Sequence, residues 1–169
     1  MIRNSAVIAT LEELGVHFFA SQTDVGSKTL VSPEILIYNL ASSKEARMRL
    51  ALIPLFLKHP HYAEYVKKTL ANLSLSHQDL LRCYYTAAQL LQIKYRAELL
   101  ELFGQQDYLP VLFDDSLKLD DTESPDTRLH QLARRQAELS GRAINWYGTY
   151  KHAYTRLTRH TKWNKQWQS

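Results

Sequence analysis

The chain has 169 residues, 45% of them hydrophobic, and 21 Lys or Arg against 17 Asp or Glu give a formal net charge of +4. This length makes one domain the expectation and is enough for a core without disulfides or metal, while the lone Cys83 can form no internal disulfide and lacks zinc-site spacing, so a reducing cytoplasm is the expected compartment. No secretory leader and no membrane-length apolar run is visible, and the scarcity of Gly and Pro, 5 of each, makes the expected class all-α: a single-domain multi-helix bundle over residues 1–169, built from helical hairpins, with about six to seven helices.

A first helix is predicted over residues 5–19, where Val7, Ile8, Leu11, Leu14 and Phe18 recur at helical spacing and Gly15 weakens the middle. A polar loop follows over 21–29. Ser32-Pro33-Glu34 then combines a capping hydroxyl, a Pro at the first helical position and an acid on the positive dipole end, which starts a short helix carrying Ile35, Leu36, Tyr38 and Leu40. Residues 42–59 form the most apolar stretch and the expected organising helix. There Ser42 and Glu45 fit an S-x-x-E capping box, Ala46, Leu50, Ile53 and Leu57 form a stripe, and Pro54 predicts a kink or a break into two shorter helices. The hairpin made with the preceding helix is similar to those of HEAT-like repeats, but no second copy recurs at a fixed period.

After Pro60, Tyr62, Val66, Leu70 and Leu73 mark the buried face of a further helix whose other face shows Glu64, Lys67 and Lys68. Ser76 and Asp79 occupy capping positions for the longest predicted helix, 77–103, about 40 Å long and closed by Gly104. Leu109 to Phe113 read as a docked apolar segment, followed by an acidic loop over 114–126. Ser124-Pro125-Asp126 repeats the cap, Pro and acid start for a helix ending at Gly141. The last helix is expected from about Asn145, burying Trp146, Tyr150, Tyr154 and Leu157.

Charge is uneven along the chain. From Arg142 to the end there are six Lys or Arg and no acid, leaving the rest with 15 Lys or Arg against 17 Asp or Glu. The basic aromatic tail, 158–169, is therefore the main functional lead. Arg142, Lys151, Arg156, Arg159, Lys162, Trp163, Lys165 and Trp167 are the candidate binding residues, because cations interleaved with Trp suit phosphate contacts plus base stacking and equally suit a protein interface. A solvated helix end that complements its own dipole is the third reading.

Catalytic chemistry is poorly represented. The acidic loop has no EF-hand frame, and Gly26-Ser27 lacks the paired acids a minimal nucleotidyltransferase needs for its metals. Helical ribonucleases of the HEPN type carry an Arg and a His with four to six residues between them. Arg156 and His160 are too close for that, and Arg49 and His59 too far apart. His152-Ala-Tyr154 matches only the tail of the related R-x4-H-x-Y pattern, because position 147 is Tyr. His59-Pro60-His61 reads as a helix junction, and the Tyr84-Tyr85 pair and the stripe through Tyr95 as core. No cofactor, metal or catalytic residue is expected.

Four segments, residues 32–66, YYTAAQLLQ at 84–92, YLPVLF at 108–113 and ELSGRAINWYGTY at 138–150, resemble a family of bacterial helical proteins often encoded beside a small nucleotidyltransferase. The likeness spans roughly Ser32 to Tyr154 and carries no catalytic motif. It implies a two-component, toxin-antitoxin-like module in which the helical protein partners the nucleotidyltransferase. The expected function is thus that of a non-catalytic interaction protein. A nucleic-acid-binding module acting alone and a degenerate HEPN-like ribonuclease are the alternatives.

Overall fold

The computed structural model describes residues 4–16 and 30–168, and every regular element among them is helical. The polar loop, Gly26-Ser27 and Phe18 lie outside the described residues. Helix α1 (Asn4–Glu13) buries Val7 and Leu11 and ends earlier than its periodicity predicts. Gly15 takes φ +74, with Gly15 N–H bonded to Glu12 O at 2.9 Å and Val16 N–H to Leu11 O at 2.8 Å. This is a Schellman closure, and buried Val16 and Leu11 make its apolar clasp. Gly15 therefore stops the helix rather than weakening its middle. Lys58 Nζ donates to Gly15 O at 3.0 Å and His59 Nε2 contacts Leu14 O at 2.6 Å, so the chain is tied to the body just past the end of α1. A side chain at position 15 would collide with Lys58 Nζ. Burial lowers the basicity of Lys58 and of the His59 imidazole.

Helix α2 (Pro33–Ser42) starts at the predicted cap, with Ser32 Oγ accepting the Ile35 N–H at 3.5 Å. Its inner face is Leu36, Ile37, Leu40 and Ala41, whereas Ile35 and Tyr38 stay exposed. The capping box at Ser42 is not made. A box needs its Ser outside the helix in extended geometry, but α2 runs through Ser42, whose Oγ donates back to Tyr38 O at 2.6 Å. The chain breaks one residue later, at Ser43 (ψ 143), and Ser43 Oγ accepts the Glu45 N–H at 3.2 Å. The Glu45 carboxylate instead takes Asn4 and Arg47.

The predicted break of the apolar stretch is present. Helix α3 (Ala46–Leu50) ends at Ala51, and α4 (Leu52–Lys58) begins so that Pro54 sits third, within the first turn, where its missing N–H costs no intrahelical bond. All of Leu52 to Leu57 is buried, because α4 is enclosed by α6, the C-terminal helix and its own neighbours. The stripe holds only in its second half, since Ala46 is exposed and Leu50 half-buried. A 3-10 segment (Pro60–Tyr65) leads into α5 (Val66–Leu70), and Tyr62, Val66, Leu70 and Leu73 are buried as predicted.

Helix α6 (Leu75–Lys94) passes between α4 and α9 (Pro125–Ser140) and is almost wholly buried from Cys83 to Gln92. Its N-cap is Ser74, not Ser76, and Asp79 pairs with Arg82 at 3.4 Å instead of capping. The single long helix expected here is two. Tyr95 (φ −110, ψ 27) separates α6 from α7 (Arg96–Phe103), and the bend carries the Tyr95 ring onto Tyr154 at 4.2 Å between centroids. These breaks, and short α8 (Asp114–Leu117), give more helical segments than the six or seven expected.

The docked segment is held by α6. Gln92 Nε2 donates to Asp107 O at 3.0 Å while its Oε1 accepts the Leu109 N–H at 2.8 Å, and Tyr85 O–H donates to Pro110 O at 2.6 Å. Helix α9 starts at Ser124, whose Oγ accepts the Thr127 N–H at 3.2 Å, and ends at Gly141 (φ +70). The acidic stretch is dispersed among partners: Asp114 engages Arg128, Asp120 accepts from Thr122, and Asp126 accepts from Lys94 and Tyr147. No described helix is long and apolar enough to cross a membrane.

Candidate interaction surface on the C-terminal helix

Helix α10 (Trp146–Gln168) opens under Asn145, whose Oδ1 accepts the Gly148 N–H at 2.9 Å. Its first three turns are fixed by aromatic residues. Trp146, Tyr150, Ala153, Tyr154, Leu157 and Thr158 are buried, Tyr84 meets the rings of Trp146 and Tyr150 edge-on at 6.4 Å, and Tyr150 O–H donates to Gln136 Oε1 at 2.5 Å. Past Thr158 none of the described residues is buried. At 1.5 Å per residue the last ten residues therefore carry the helix about 15 Å along the surface.

Helical spacing divides this tail into two sides. Lys162 Nζ reaches Glu98 Oε2 at 3.2 Å and Lys165 Nζ donates to Glu101 O at 3.1 Å, so this side leans on α7. Glu98 also accepts the Tyr154 O–H, and that bond, together with Lys162, holds its carboxyl below the usual carboxylate range. Arg156, Arg159, Trp163 and Trp167, at i, i+3, i+7 and i+11, form the other side. Trp163 is 58% and Trp167 74% exposed, with ring centroids 5.5 Å apart and planes inclined by 50°.

The remaining candidates fall elsewhere. Lys151 Nζ lies 5.6 Å from the Tyr147 ring, beside the Lys94 and Asp126 pair, where bonds from Lys94 and then Tyr147 depress the Asp126 carboxyl. Arg142 is not on α10. It precedes the helix, its carbonyl accepts the Trp146 Nε1–H at 3.2 Å, and its side chain lines a cavity of about 530 Å³ together with Lys44 and Arg49. The charge count along the chain missed Lys44 and Arg49, since they are nearly 100 residues away from Arg142 in sequence.

Catalytic arrangements are sparse. No three His, Cys, Asp or Glu among the described residues are grouped to hold a metal ion. His59 and His61 meet edge-on at 5.8 Å at the α4 junction, with His59 committed to Leu14 O. Burial pushes the Cys83 thiol up to about 12, which keeps it protonated at neutral pH and a poor nucleophile. No known protein family, curated protein sequence or solved structure matches the chain.

Proposed function

We propose that the protein is a non-catalytic helical interaction module of the cytoplasm that holds a protein partner with the Arg156, Arg159, Trp163 and Trp167 side of α10. The partner implied by the sequence resemblance is nucleotidyltransferase-like. The observation that carries this reading is the pair of exposed Trp side chains, 58% and 74% open, side by side on a basic helix end. Leaving two indoles in water is unfavourable, and Trp with Arg is the preferred anchor chemistry of protein interfaces. The partner surface that fits is an apolar cleft rimmed by carboxylates, because the chain from Arg142 onward carries six cations and no acid.

Nucleic-acid binding is the second reading, favoured by the same run of cations. Against it stands the geometry of the rings: inclined and in contact, they form one knob rather than two parallel faces spaced for a base. Affinity co-purification from the native host separates the two. Trp163→Ala or Trp167→Ala is expected to weaken capture of the partner by about 2 kcal/mol or more while RNA and DNA bind weakly at physiological salt. Tight single-strand binding, with a log–log salt slope that flattens by about one per Arg removed, overturns the protein-partner reading. The purified protein is expected to show neither RNA cleavage nor nucleotide transfer.

A further inference from the structure

A second surface, independent of α10's outer side, carries an inference of its own. The cavity of about 530 Å³ lies where the α2–α3 turn, the start of α6, the end of α9 and the α9–α10 turn converge. Lys44, Arg49 and Arg142 all line it, from three separate elements. Its one carboxylate, Asp79, is already engaged by Arg82 at 3.4 Å. Among the described residues no acid pairs with any of the three cations, and the Arg49 guanidinium donates to Ser43 O at 2.9 Å. Three like charges brought to one concavity repel each other unless an anion lies between them. Ser76 and His77, from the first turn of α6, also line it. Leu80, Leu139 and Trp146 add apolar surface to the lining.

We infer that this cavity binds a phosphorylated small molecule, its phosphate among Lys44, Arg49 and Arg142 and its less polar part against Trp146. Guanidinium groups match phosphate oxygens two at a time, which a single carboxylate uses less fully. The volume lies in the range of small-molecule sites.

The test uses the full chain with inorganic phosphate, AMP and adenosine as probes, followed by titration calorimetry. Of the three tryptophans, Trp163 and Trp167 can be changed to Phe, leaving Trp146 as the sole emitter. Its indole N–H is bonded to the Arg142 carbonyl, so it reports on the site. AMP and inorganic phosphate are expected to bind and shift the emission, adenosine not to. AMP binding more tightly than phosphate supports a phosphate ester as the ligand, and the reverse overturns it in favour of the free ion. Arg142→Ala and Lys44→Ala, both at exposed positions, are each expected to weaken binding about tenfold with the circular dichroism unchanged. No binding of any phosphate probe at millimolar concentration, adenosine binding as well as AMP, or affinity unchanged in both variants overturns the assignment. Because the Trp163→Phe and Trp167→Phe protein lacks the interaction surface proposed above, success or failure here is read separately from that proposal.

Discussion

Asp114 and Arg128 meet where α8 faces α9, with only 14% and 9% of their side chains exposed. Asp114 Oδ1 and Arg128 Nε are buried there without a hydrogen-bond partner. Such a pair gains little overall, since desolvation offsets most of the attraction, yet removing one member strands a buried charge. Arg128→Met should therefore lose about 3–5 kcal/mol in urea denaturation, and adding Asp114→Leu should restore most of it. A double variant as unstable as the single one would show that the pair contributes net stability. The residue scale also marks how far sequence chemistry reaches. Ser32 and Ser124 cap as read, because cap, Pro and acid act within one turn. Ser42 and Glu45 also spell a local cap and do something else, because α2 runs through the expected cap residue.

Among the elements, α4 is the segment on which a core substitution should tell most. Ile53 is fully buried, so Ile53→Ala should cost about 2–5 kcal/mol, whereas half-buried Leu50→Ala should cost about 1 kcal/mol or less. Chemical denaturation of both variants checks the contrast, and a loss below about 0.5 kcal/mol at Ile53 would remove α4 from the core. Pro54 made this break legible beforehand, though the chain places it at Ala51 so that the Pro falls in a first turn. The break at Tyr95 had no such signal. Neither Pro nor Gly lies near it, and what accompanies it is a ring contact with Tyr154, 59 residues further along. Exposed Ile35 and Tyr38 on α2 were likewise unreadable, because a helix with apolar residues on both sides does not declare which side meets the core.

For the molecule as a whole, the outline of the candidate site was legible and its division was not. The basic tail and its Trp residues follow from composition, and helical spacing alone groups Arg156, Arg159, Trp163 and Trp167. That Lys162 and Lys165 turn to α7 depends on Glu98 and Glu101, 64 residues earlier, and that Arg142 joins Lys44 and Arg49 depends on how the α9–α10 turn meets the α2–α3 turn and α3. The same closure seals Cys83, the only cysteine of the chain, at 0% exposure under α9 and beside the cavity. A maleimide or disulfide reagent can reach that sulfur only in molecules whose α6 has parted from its neighbours. Modification should then run slower than for a free thiol by the fraction of time spent open, about 10⁴-fold or more for a domain of ordinary stability. The lone thiol becomes an internal clock for breathing of the central helix, readable by mass spectrometry without a label or a mutation.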